Sequence, residues 1–132
     1  MDTAESWFVQ QFIVRHKRER VLYELAHPDK RRMCLWNMTS AGNDRLNDQK
    51  VRVTSLTCEE MLVELRTAGI GGKAIASIIS GQSELDGQLL PVKEALLQAW
   101  HHWPYVLILH EAGVALIAGE SGANAPWRAI LK

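Results

Sequence analysis

The apolar positions Trp7, Phe8, Phe12 and Ile13 recur at spacings that place them near one helical face. The polar run Arg15-His16-Lys17-Arg18-Glu19-Arg20 follows, and then Val21, Leu22 and Leu25 restore the apolar face. The pattern predicts a single helix over about 4–26, with Thr3 as its N-cap and its middle turns solvated. His27-Pro28-Asp29 ends it. Proline disfavours helix at the residue before it but suits the first turn of a new helix, where Asp29 complements the dipole. Met33, Leu35, Trp36 and Met38 supply the apolar content of a second helix over about 28–38. The tract 39–49 is polar except for Leu46 and is expected to be a mobile loop.

From residue 51 the period changes. Val51 and Val53 alternate with Arg52 and Thr54, as in a half-buried strand. Thr57-Cys58-Glu59-Glu60 spells a capping box for a helix that carries Met61, Leu62 and Leu65 and ends at Gly69. The run AIASIIS at 74–80 reads as a central strand covered on both faces. A turn-rich tract, 81–88, leads to a helix from Pro91 to about His101, which Pro104 stops. YVLIL (105–109) and VALIA (114–118) form a hairpin around His110-Glu111-Ala112-Gly113, and WRAIL (127–131) is a last strand after a loop of small residues at 121–126.

These elements make an α+β (α/β-like) chain. The expectation is a single mixed sheet of four to five strands with helices packed on it, an N-terminal helical pair, and a C-terminal β-hairpin plus final strand. One domain over 1–132 is expected, with 1–38 helical and 51–132 the α/β core; the stretches 51–80 and 74–109 are candidate parallel crossovers.

Composition narrows the function classes. At 47% apolar and 23% charged, the chain is neither disordered nor fibrous. Fifteen basic and fifteen acidic residues cancel, so no global field draws in nucleic acid or an anionic membrane. Asp2 and Glu5 precede the first apolar cluster and arginines follow it, the reverse of a secretory signal, and no apolar run reaches membrane-spanning length. Cys34 and Cys58 form no CxxC pair and suit reduced thiols. The expected location is cytosolic, with no membrane partner.

Sequences that resemble catalytic motifs fail in context. Gly69-Ile70-Gly71-Gly72-Lys73 lacks the Ser or Thr of a phosphate loop, and the helix precedes the strand instead of following it. Gly119-Glu120-Ser121-Gly122-Ala123 resembles a nucleophile elbow, but no histidine follows it. No zinc-type spacing links His16, His27, His101, His102 and His110. No cofactor is expected, and no catalytic or metal residue is assigned.

Two features invite recognition. Over residues 15–32 the basic side chains Arg15, Lys17, Arg18, Arg20, Lys30, Arg31 and Arg32 outnumber Glu19, Glu24 and Asp29 by four. Such a face meets phosphates or an acidic protein surface. Among five tryptophans, Trp103, between His102 and Pro104, is expected to be exposed as an interface anchor. The first expectation is a small non-catalytic protein-interaction module (inhibitor, immunity-like or adaptor), binding through Arg15, Lys17, Arg18, Arg20, Arg31, Arg32 and Trp103 to another protein, with a homodimer compatible. The alternative is nucleic-acid binding by the basic face of residues 15–32. A third reading is a metal-dependent or acid/base enzyme around His102, His110 and Glu111.

Overall fold

A computed structural model describes residues 3–122 and 125–132; Ala123 and Asn124, within the expected loop at 121–126 and the elbow-like sequence, lie outside the described residues, as do Met1 and Asp2. The helices are α1 (Thr3–Phe12), α2 (Arg18–Ala26), α3 (Pro28–Thr39), α4 (Cys58–Thr67) and α5 (Val92–Ala99). The strands are β1 (Val51–Thr54), β2 (Ile75–Ser80), β3 (Leu89–Pro91), β4 (Tyr105–Leu109), β5 (Val114–Glu120) and β6 (Pro126–Leu131). The α+β class holds. The six strands form one sheet in the order β1-β6-β5-β4-β2-β3, and every neighbouring pair is antiparallel.

Helices cover both faces. Ile78, Leu107, Leu116 and Ile130 lie in one cross-strand row and pack with α4 and α5 through Met61, Leu65, Val92 and Leu96. Ile79, Val106, Ile117 and Ala129 form the neighbouring row on the opposite face, beneath Phe8, Phe12, Val21, Leu35 and Met38 of α1–α3. Burial on both sides explains why β2, β4 and β5 read as continuous apolar runs instead of alternating ones.

The expected mixed sheet is corrected to a fully antiparallel one, for a definite reason. β3, too short to stand out in the sequence, reverses the chain beside β2 before α5 begins. The helix therefore starts from the other end of the sheet, and β4 returns antiparallel to β2. β1 and β2 do point the same way, but β6, β5 and β4 lie between them, so no parallel pair forms. β2 is next to an edge strand, not central.

The single helix expected over 4–26 is interrupted at Ile13 and Val14. Val14 N–H donates to Arg45 O at 2.7 Å, Asn47 N–H donates to Phe12 O at 2.8 Å, and Ile13 bridges Leu46. Residues 45–47 thus satisfy the freed backbone. The same contacts pin the tract expected to be a mobile loop: Arg45 and Leu46 are buried, and Arg45 pairs with Glu24 at 2.7 Å. Burial pushes the Glu24 carboxyl up, but hydrogen bonds from Arg45 and Arg20 outweigh it and leave the group below the ordinary glutamate value.

At α4 the local sequence is fully expressed. Thr57 accepts from Glu60 N–H at 3.1 Å and the Glu60 carboxylate accepts from Thr57 N–H at 2.9 Å. Gly69, at φ +88°, closes the helix with Ile70 N–H on Leu65 O and Gly69 N–H on Arg66 O, a Schellman cap. The phosphate-loop-like glycines are thus used as a helix stop.

Both thiols are free, and they differ. Cys34 is buried, and burial pushes its thiol up to about 12; Cys58 is half-buried and raised by the same cause. Because the thiolate is the nucleophile, alkylation of the folded chain by iodoacetamide at mildly alkaline pH is expected to label Cys58 first. Cys34 is expected to react only after denaturant is added. Mass spectrometry of tryptic peptides reads the order, and simultaneous labelling would contradict the packing around Cys34.

Candidate protein-docking groove

On α3 two stripes diverge. Cys34, Leu35, Met38 and Thr39 face the sheet and are buried. Asp29, Arg32, Met33 and Trp36, spaced i, i+3, i+4, i+7, share another face and stay exposed, Met33 at 64% and Trp36 at 40%. The helix is apolar on two sides, so Met33 and Trp36, read from the sequence only as apolar content of this helix, form a surface.

Facing that stripe is a second wall. Gly81 and Gln82 leave the end of β2, and His102-Trp103-Pro104 leads into β4, with a cis peptide bond between Trp103 and Pro104. Gly81 N–H donates to Pro104 O at 3.3 Å and joins the two segments. Between the walls runs an open groove of about 490 Å³, within the size range of ligand sites. A smaller cleft of about 170 Å³ continues it, sharing Arg32 and Gly81 and reaching Ser83 and Asp86. Trp103 is half-buried against the α4–α5 core, not exposed as expected; among the described tryptophans it is Trp36 that is exposed.

Four of the six basic residues singled out by sequence are engaged with carboxylates or backbone carbonyls. Arg31 is drawn inward. Its Nη1 donates to Glu5 Oε1 at 2.7 Å and to Leu25 O at 3.0 Å, its Nη2 to Glu5 Oε2 at 2.6 Å and Asp86 Oδ1 at 3.0 Å, and its Nε to Asp86 Oδ2 at 2.8 Å. All five guanidinium donors are used. The bonds to Glu5 and Asp86 push its pKa up, above the ordinary arginine value. Lys17 pairs with Asp44 at 2.5 Å, Arg20 with Glu24 at 3.2 Å, and Arg18 Nε donates to Ile13 O at 2.9 Å. Arg15 and Arg32 are exposed and make no ion pair among the described residues. Of the residues singled out, Arg32 and Trp103 line the groove together, and Arg31 and Arg32 line the smaller cleft that continues it.

His102 and His110 lie on either side of β4. Five extended residues separate their segments by about 17 Å, so the two imidazoles do not converge. His110 instead packs its ring on Trp7, with centroids 4.9 Å apart, and Glu111 is exposed beside it. Among the described residues no three His, Cys, Asp or Glu side chains are placed to hold a metal ion. None of the described helices is long and apolar enough to cross a membrane.

Sequence reasoning did not single out Asp29, Met33 and Trp36 as site residues. The signal was present in their i, i+3, i+4, i+7 spacing, but the competing stripe at 34, 35, 38 and 39 has the same period, and only the position of the sheet tells them apart. No family model, no curated protein and no solved structure matches the chain.

Proposed function

We propose that this chain is a small non-catalytic protein-interaction module, of the inhibitor, immunity-like or adaptor kind, and that it docks its partner in the groove along α3. The observation that carries the reading is the exposed Met33–Trp36 stripe opposite Trp103 and Pro104, with the Arg32 guanidinium beside it. Large apolar groups kept in water at the rim of a preformed groove are the anchors that partner proteins use. The fitting occupant is a segment that places an apolar or aromatic side chain between Met33, Trp36 and Trp103 and a carboxylate on Arg32, which makes no ion pair within the described residues. Support for nucleic-acid binding by residues 15–32 is thinner, because Lys17, Arg20 and Arg31 are already paired with carboxylates. Support for the enzyme reading is thinner still, given the separation of His102 from His110.

The test compares the wild-type chain with Trp36→Ala and Arg32→Glu as baits in its native host, followed by titration of any enriched protein in purified form. Arg32→Glu lies on the exposed face and is expected to change stability by no more than about 0.5 kcal/mol; Trp36→Ala removes a side chain that is 40% exposed, so its denaturation curve is recorded before its binding is read. Trp36→Ala is expected to weaken the purified complex at least roughly tenfold, as loss of an interface anchor does. Binding that survives both substitutions would remove the groove from consideration. Salt-sensitive binding to nucleic acid that disappears with Arg15→Glu would favour the basic-face reading instead.

A further inference from the structure

A second surface lies at the other side of the sheet, independent of the α3 groove. The sheet has two edges, and they are not equivalent. β3 is three residues long and ends at Pro91, which has no N–H to offer. β1 has no such protection. Lys132 N–H donates to Lys50 O at 3.0 Å, and the β1–β6 register pairs Val51 with Leu131 and Arg52 with Ile130. In an antiparallel ladder the bonded positions alternate. Arg52 and Thr54 therefore turn their backbone groups toward β6, while Val53 turns both N–H and C=O outward, where no strand of the described residues pairs with it; Val51 turns outward too, but its N–H donates to Asp48 O in the turn before β1, which leaves its C=O for a new strand.

The side chains along this edge are arranged for another strand. Val53 ends the apolar row that runs through Ile79, Val106, Ile117 and Ala129, yet it is 65% exposed. A cleft of about 280 Å³ opens beside it, lined by Val51, Val53, Leu46, Ala41 and Trp127. On the opposite face Arg52 is exposed and pairs with Glu64 at 2.7 Å, above a second cleft of about 330 Å³ that Lys132 also lines.

We propose that β1 is a strand-addition site for an extended segment of a partner protein with an apolar–acidic–apolar alternation. Val53 N–H and C=O and Val51 C=O supply the main-chain bonds, and the side chains opposite Val51 and Val53 continue the apolar row into the cleft beside Trp127. The residue opposite Arg52 falls beside a cleft lined by Lys50, Arg52 and Lys132 against the one carboxylate of Glu64, which Arg52 already engages; the remaining positive charge of Lys50 and Lys132 favours a carboxylate there and disfavours a like charge. A second copy of this chain fits less well. Of the self-pairings centred on this strand, one sets Arg52 against Arg52 and another sets Lys50 against Arg52.

The test uses the full chain, isotopically labelled, with short synthetic peptides of alternating valine and glutamate or valine and lysine. Amide exchange at Val53 is expected to slow roughly tenfold with the glutamate peptide, with little effect from the lysine peptide. Val53→Pro removes only an outward donor, leaves the β6 ladder intact, and is expected to abolish peptide binding, read as the chemical-shift changes that the glutamate peptide produces at Arg52 and Thr54, since proline itself carries no amide to exchange. Arg52→Glu is expected to transfer the preference to the lysine peptide while leaving the fold unchanged. Unchanged exchange at Val53 with either peptide overturns the proposal, as does equal response to both peptides. Self-association of the free chain that Val53→Pro dissolves would reassign the edge to a second copy. Resonances of Met33 and Trp36 report on the α3 groove separately, so failure at one surface is distinguishable from failure at the other.

Discussion

An Arg31→Met variant is expected to lose about 3 kcal/mol of stability in chemical denaturation, the low end of the cost of breaking a buried ion pair. The low end applies because the Arg31 side chain is 18% exposed and that of Asp86 27%, so water screens part of the loss. Four parts of the molecule meet at this guanidinium: Glu5 on α1, Leu25 O at the end of α2, Arg31 itself on α3, and Asp86 in the turn after β2. Asp86 Oδ1 also accepts from Ser80 N–H at 3.0 Å, which ties the cluster to the end of β2. Removing the cation leaves a buried Glu5 without both of its Arg31 bonds and two carboxylates with no guanidinium between them. Arg31→Lys is expected to recover only part of the loss, since an ammonium cannot reproduce a planar fork bonded to two carboxylates and a carbonyl. The adjacent Arg32→Ala, on the exposed face of the same helix, is expected to leave stability within about 0.5 kcal/mol of wild type. A loss below about 1 kcal/mol for Arg31→Met would mean that the network contributes little beyond its own desolvation.

Gly119→Ala is the second large effect. Gly119 lies in β5 where the end of α3 comes down on the sheet, and a Cβ there would sit 1.9 Å from Thr39 O and 2.5 Å from Thr39 C. The obstruction is backbone, so no side-chain rotation relieves it. Thr39 O also accepts from Trp127 Nε1 at 2.6 Å, and the neighbouring Ala41 N–H donates to Glu120 O at 2.8 Å. Moving the helix end away breaks these links. The expected cost is about 3 kcal/mol, the upper end for overpacking, which lowers the melting temperature of a chain this size by roughly 10 °C. Gly122→Ala is a useful contrast: its φ of +82° strains any side chain, but nothing lies within 4 Å, so its cost is that of backbone strain alone, about 1 kcal/mol. Equal melting temperatures for Gly119→Ala and wild type would show that α3 does not seat as closely on β5 as the geometry requires.

Gly119 also illustrates how a local pattern misleads. In the sequence it opens a Gly-Glu-Ser-Gly string that resembles a catalytic elbow; in the fold it is the point where helix and sheet backbones touch. The glycine is needed for space, and the space is set by a residue eighty positions earlier, which no short window contains.

What the sequence determined by itself was everything governed by neighbours along the chain. The capping box at Thr57–Glu60 and the stop at Gly69 need only residues within a turn of each other. The apolar runs of β2, β4 and β5 announce burial on both faces, because each residue must meet a layer on its own side. The tertiary structure alone decided which of two equivalent stripes on α3 faced water and which of two adjacent arginines was enclosed. It also decided where the first helix gave way to residues 45–47, and which strand was left at an open edge. Those outcomes depend on partners far away in sequence. Arg31 and Arg32 are the same side chain one position apart, and the 100° between them on the helix turns one toward Glu5 and Asp86 and the other toward the groove.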